Sequence, residues 1–531
     1  MREEVAAFVQ EHEAAVRPLE KALHEAAWQL AVTGEDRWKD EVVRLAVARR
    51  SLSADPVGYR RLQDWSARLE GLTDPLLVRQ VQKLFLQFRA SQMDRETIEA
   101  LERLEAEAEQ RFDTFRSTLD GRPVTANTLE QILRASDDAP LRQRAWEASQ
   151  QIGPEVAPLI REMVRLRNRV ARGMGFPDHY AFALETQELE EGWLFALLEE
   201  LDRRTAGPFF AEKARLDAEL CARFGITEGE LRPWYYADPF FQRPPPRPGL
   251  NLDPLFAGAD LPALTVASFD GLHLEVRDIL ARSDLFEKPG KSQHGFCTDI
   301  DREGDIRILC NVVGNEHWMR TLLHEGGHAI YDKYLDGSLP YFLRTPAHTF
   351  TTEAIAMLLE RQVYQAPWLT GVAGVPAGEA AALASAAAAH QRFGLLLFAR
   401  WGLVMVHFER ALYRTPEADL DRLWWKLKAR FQGLTPPAGR QTPDWAAKLH
   451  LALAPVYYHN YLLGEFFASQ LHRTIQEQVP GGRLALNPAA GTFLRERVFA
   501  PADRWAWPRL VAQATGNALS AAAFAAEAGA E

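Results

Sequence analysis

Cysteine is scarce: the 531 residues contain three, Cys221, Cys297 and Cys310. So few thiols cannot build a disulfide framework, so the fold must rest on a buried apolar core. Long apolar runs are missing as well. The most apolar stretch, 394–406, is short and interrupted by Arg400, which makes it a core helix rather than a membrane span. Nor is there an excess of positive charge. Lys and Arg total 61 against 72 Asp and Glu, a net charge of −11 that argues against nucleic acid or an anionic membrane as a main partner. The opening Met1-Arg2-Glu3-Glu4 carries no apolar signal segment, so the expectation is a cytoplasmic chain, monomeric or weakly self-associating. Strand signals are few, which excludes a β-rich fold.

What is present is ordinary globular composition, 47% hydrophobic and 25% charged, in a chain too long for one core. Amphipathic periodicity predicts helices over 1–31, 36–51, 55–70, 74–90, 94–118, 140–173, 190–224 and 263–283. It returns over 377–413, 417–432 and 442–476. Residues 243–249, Arg-Pro-Pro-Pro-Arg-Pro-Gly, read as a stiff linker. A hairpin is expected from 293–299 and 305–312, turning at 301–304. The expected fold is mainly α: a two-lobed helical clamshell with a deep central cleft and a small β-hairpin beside the metal-binding helix described next. Its halves are expected at 1–285, a lid and cleft wall, and 286–531, the catalytic half.

The chemistry concentrates at His324-Glu325-Gly326-Gly327-His328. Helix positions i and i+4 lie one above the other, so both imidazoles can reach one metal ion. Glu325, beside the first histidine, can take a proton from a water that the metal activates, the core of a zinc peptidase. The apolar flanks Leu322, Leu323, Ala329 and Ile330 point to a buried helix, where imidazoles need partners. Each of the two glycines costs a helix about 1 kcal/mol, which makes sense if backbone or substrate packs closely there. A catalytic zinc takes a third protein ligand. Glu353, opening the helical segment 353–360 after a Gly/Pro loop, is the preferred candidate, and His348 is the rival. One zinc ion per chain is expected. A second constellation follows at Lys448-Leu-His450 and Tyr458-His459-Asn460-Tyr461. Tyrosine and histidine are suitable donors to the oxyanion of peptide hydrolysis.

The metal-binding helix, a glutamate 25 residues beyond its second histidine and the downstream His/Tyr cluster resemble the angiotensin-converting-enzyme family, and equally the thimet oligopeptidase family. Phe8-Val9, Ala27-Trp28, Trp146, Leu166-Arg-Asn168 and Gly175-Phe-Pro-Asp178 extend the resemblance to the converting enzymes. It implies His324, His328 and Glu353 as zinc ligands and Glu325 as general base and later acid. It also implies His450 and Tyr461, with Tyr458, as the groups around the tetrahedral intermediate. His294 would hold the peptide backbone, and Lys448 with Tyr458 the substrate's C-terminal carboxylate. Departures from the converting-enzyme pattern are specific. The stretch from His450 to the tyrosine pair is one residue longer, with Tyr457 a spare candidate. Asn460 replaces an arginine tied to chloride activation, and Met357 an aspartate that orients a zinc histidine. Glu360 stands where the oligopeptidases keep a glutamate, and Tyr236 where a carboxylate-binding glutamine is expected. Together these imply zinc-dependent hydrolysis of short peptides. An oligopeptidase is favoured over a peptidyl-dipeptidase, with a non-catalytic, metal-stabilised helical binding protein as the rival of another class.

Overall fold

The computed structural model describes residues 1–246 and 250–530. Arg247, Pro248 and Gly249 of the expected linker lie outside the described residues. The described residues are 69% helical, with two small antiparallel two-stranded sheets among them. Local chemistry sets many of the helix starts. Asp55 and Asp74 each accept two backbone N–H groups of the following turn, and Pro56 and Pro75 occupy the first helical positions. That pairing satisfies orphan donors and presets φ.

The chain divides into two compact units, and neither is a continuous half. Unit 1 comprises Met1–Gln92, Asn251–Ala386 and Leu463–Ser520; unit 2 comprises Met93–Leu250, Ala387–Leu462 and Ala521–Glu531.

In unit 1 the Arg2–Thr33 helix buries Val5, Val9, His12, Val16 and Glu20 along one stripe. The valines pack on Leu62, Trp65, Leu84 and Phe88. Trp28, further along the same helix, meets Ile300 and Leu309 at the hairpin. That hairpin pairs Phe296–Asp299 with Ile306–Leu309, shorter than expected but in the predicted place.

Unit 2 is built on the long helices Glu191–Phe224 and Leu420–Gln432 together with the C-terminal part of Ala377–Arg414. Trp401, Trp424 and Phe408 pack edge-on in its core. Several predicted helices are in fact broken. Region 140–173 forms two helices, Ala139–Ser149 and Ile152–Gly173, and region 263–283 also forms two. The segment 94–118 ends at Thr114 and gives way to a hairpin, Ser117–Leu119 with Arg122–Val124, around Asp120-Gly121. Both turn residues have positive φ, the geometry that favours Asp-Gly in two-residue hairpin loops. Region 442–476 is not one helix either. Short turns at Asp444–Ala447 and His450–Leu453 precede a break at Pro455-Val456, and the helix proper is His459–Gln478.

Candidate active site

Two helices of unit 1 bring the candidate ligands together. Glu316–Lys333 starts at Asn315, whose side chain accepts the Trp318 N–H, and it carries both histidines. Thr349–Glu360 starts at His348, whose Nδ1 accepts the Phe350 N–H at 3.2 Å. His348 therefore serves as a helix cap, and Glu353 is the residue that joins the histidines. Gly327 explains how closely these helices cross: a Cβ there would stand 2.8 Å from the Ala356 Cα. Behind Glu353, a Cβ on Gly464 would lie 3.1 Å from the Glu353 Cβ.

One ligand atom each from His324, His328 and Glu353 lies within 4.8 Å of the others. The Glu353 Oε2 is 3.8 Å from His324 Nε2 and 3.9 Å from His328 Nε2. The opposite ring nitrogens are held. His324 Nδ1 lies 3.1 Å from Glu360 Oε2, and His328 Nδ1 lies 2.7 Å from the Thr352 hydroxyl. Each ring is thus fixed with Nε2 turned to the common point, an orientation suited to holding a metal ion. Arg320, one turn before His324, donates to the other Glu360 oxygen at 2.7 Å. Two imidazoles and a carboxylate are a donor set that fits zinc with a position left open.

The local charges are strongly coupled. Burial alone would raise Glu360, yet Arg320 and His324 hold it well below the usual carboxylate range. Burial also works against a charge on His324, but its bond to Glu360 and the nearby Glu325 and Glu353 keep its pKa up at about 9. Burial and the His324 charge push His328 down to about 3. Glu325 is buried, and the Cys297 N–H of the hairpin donates to its carboxylate. Burial raises its pKa to about 7. His294 is exposed just ahead of the Phe296–Asp299 strand, where its backbone N–H meets the Ser292 hydroxyl.

In unit 2, His450, Tyr458 and Tyr461 form a cluster. The His450 ring centroid is 5.2 Å from that of Tyr458 and 6.0 Å from that of Tyr461. Tyr461 lies in the first turn of the His459–Gln478 helix, and Tyr458 just before it. The Trp401 indole N–H donates to the Tyr458 hydroxyl. Lys448 donates to the Gln242 side-chain oxygen at 3.0 Å and lies over the rings of Phe240 and Trp401. Burial brings its pKa down to about 8. Gln242 is a residue the sequence reading missed. The expected glutamine position, Tyr236, is a core residue whose hydroxyl donates to Asp217 at 2.8 Å. Gln242 arrives on a loop folded around Asp238, whose carboxylate accepts the N–H groups of Phe240, Gln242 and Arg243. A loop closed on a buried Asp has no periodicity to read, although Asp238 ahead of Pro239 is a turn signal. Thr352 was missed too, despite its place next to Glu353.

Two family models match this chain. Residues 277–527 match that of Peptidase family M3, and residues 1–203 match that of Angiotensin-converting enzyme. Over those residues the chain is similar to metallopeptidases of the converting-enzyme and M3 type. The M3 match contains His324, Glu325, His328 and Glu353, and also His450 and Tyr461. A curated relative, an angiotensin-converting enzyme of Theromyzon tessulatum, is 23% identical over 252 residues. That match covers 44% of this chain and 40% of the relative. Among the described residues, no helix is long and apolar enough to cross a membrane.

Proposed function

We propose that this chain is a zinc-dependent oligopeptidase, hydrolysing peptide bonds in short peptides with one zinc ion held by His324, His328 and Glu353. The observation that carries the reading is the convergence of those three side chains, each imidazole anchored through Nδ1, with the Glu325 carboxyl beside them. Bound zinc supplies Lewis acidity to the scissile carbonyl and makes water a nucleophile near neutral pH. Glu325 takes the proton from the attacking water and passes it to the leaving amine. His450 and Tyr461 donate to the developing oxyanion, Tyr458 assists them, and His294 holds the substrate backbone. The intact Glu325 tells against a purely structural metal site, which has no use for that carboxylate.

One observation favours a second reading, removal of C-terminal dipeptides. Lys448 and Gln242, 3.0 Å apart, form a cationic and amide pair suited to a peptide's terminal carboxylate. Mass spectrometry of the products from one ten-residue peptide, as free acid and as amide, with and without a chelator, separates the readings. Internal cuts in both forms support the oligopeptidase. Stepwise loss of dipeptides from the acid alone supports the dipeptidase and gives Lys448 its role. No chelator-sensitive cleavage would reject both in favour of a binding protein.

A further inference from the structure

Between His450 and Tyr458 the backbone does something the residue there resists. Val456 has φ +51, in the left-handed region. Among the described residues, eight that are not glycine have positive φ: Asp120, Glu188, Phe241, His273, Arg302, Val456, Leu486 and Ala502. Val456 is the one β-branched residue of that set, and its two Cγ methyls crowd the backbone in this conformation. A residue of this kind persists only where its surroundings over-determine it, and such positions gather at functional sites.

The surroundings are on hand, and both belong to unit 2. The Val456 N–H donates to Glu409 Oε1 at 2.7 Å, and its carbonyl accepts the Gln187 amide at 3.0 Å. Val456 and Glu409 are buried. The other end of the Gln187 side chain reaches the next turn of chain: its oxygen accepts the Asn460 amide at 3.3 Å and lies 3.2 Å from His459 Nε2. Gln187 therefore spans the turn from Val456 to the start of the helix that carries Tyr461. Glu409 and Trp401 come from the same helix, Ala377–Arg414, so one element holds both the turn and the Tyr458 hydroxyl.

The geometry points to Glu409 and Gln187 as positioning residues that clamp Val456 in its left-handed turn and so set His450, Tyr458 and Tyr461 in register. This rests on the proposed roles of those three residues in peptide hydrolysis. It also gives the extra residue between His450 and the tyrosines a physical place. A single left-handed residue folds the chain back on itself, as in a bulge, and absorbs the added length. Neither Glu409 nor Gln187 touches the reacting atoms in this assignment. They act through the backbone of residue 456.

The test uses the zinc-loaded 531-residue chain and one fluorogenic peptide. Glu409→Ala should lower kcat by about 10–100-fold with KM within about twofold and zinc content unchanged, because misplacing a donor by about 1 Å has effects of that size. Glu409→Gln should stay within about threefold of the parent, since a carboxamide oxygen accepts the same N–H. Burial pushes the Glu409 carboxyl up to about 7, so the neutral amide is a close stand-in. Gln187→Ala, a milder change should Glu409→Ala fold poorly, should lower kcat in the same way. Val456→Gly relaxes the turn, and Glu409→Ala on that background should lose far less. Parental kcat in folded Glu409→Ala, or Glu409→Gln as impaired as Glu409→Ala, overturns the clamp. So does parallel loss of kcat and zinc. Deuterium exchange over residues 450–461 reads the clamp without any activity: faster uptake in Glu409→Ala but not in Glu409→Gln is expected, and unchanged uptake refutes it. If the parent enzyme cleaves no peptide, the catalytic reading fails while the exchange result still decides the clamp.

Discussion

Replacing Gly327 by alanine sets two effects of known size against each other. In an open helix the exchange stabilises by about 1 kcal/mol, because alanine loses less backbone entropy and shields the helix. At position 327 the new methyl would meet the Ala356 Cα at 2.8 Å and the Ala356 nitrogen at 3.1 Å. These are backbone atoms and cannot rotate away. Carbon contacts relax at about 3.5–4.0 Å, so the helices must part by roughly 1 Å. Overpacking of this kind costs about 1–3 kcal/mol, leaving a net loss of up to about 2 kcal/mol. The metal site should suffer more. His324 and His328 ride on one helix and Glu353 on the other, while ligand distances tolerate only about 0.2 Å of error. Zinc affinity should fall by about 10–100-fold, measured by competition with a coloured chelator. Thermal unfolding with saturating zinc in the parent should show the linked loss, about 1.4–2.8 kcal/mol less zinc-dependent stabilisation at fixed free zinc. If Gly327→Ala gains about 1 kcal/mol of stability and keeps its zinc affinity, the close helix crossing is not what positions the ligands.

Glu325→Gln should retain zinc and lose about 10²–10⁴-fold in turnover, and loss of the metal in that variant would undo its assignment as the base. Tyr461→Phe should reduce kcat by about 100-fold with little change in KM, as expected of a bond made in the transition state; a rise in KM alone would show it binds substrate instead. Lys448→Ala should raise KM for free-acid peptides more than for C-terminally amidated ones, and Gln242→Ala should follow it; equal losses on both substrates would remove the pair from carboxylate recognition. His12 lies buried against Phe8, Phe88 and Phe342, where burial and the Arg49 charge lower its pKa to about 4. The folded state excludes a proton that the unfolded chain takes up near 6.5. Stability from this group is therefore intact above that pH and lost as pH falls towards 4, by about 3 kcal/mol. His12→Gln should flatten the urea-unfolding profile between those pH values relative to the parent; identical slopes would contradict the burial argument.

The pairing of His324 and His328 was readable because helix periodicity alone puts them on one face, and the two glycines signalled a close approach. The approach of Glu353 to them followed from a second helix after a turn-rich loop. The break at Val456 was not readable. Apolar and aromatic residues run through 442–476 with helical spacing, and what interrupts them is held by Gln187 and Glu409, remote in sequence. Pro455 was the local warning, since it disfavours helix for its predecessor and removes a donor. Asp120-Gly121 was a comparable warning for the first hairpin, masked by the strong helical pattern of 94–114. Gln242 escaped because a loop wound around Asp238 sets residue positions by hydrogen bonds rather than by repeat.

The interleaving of the two units has a consequence for how the protein is made. Glu353 leaves the ribosome long before Gly464, whose helix packs against it, and the Leu463–Ser520 segment completes unit 1 only after the middle of unit 2 has been synthesised. Vectorial folding therefore cannot finish the ligand-bearing unit first and add the other afterwards. Nascent chains stopped before residue 463 should hold zinc poorly, and no single cut in the polypeptide would release either unit intact.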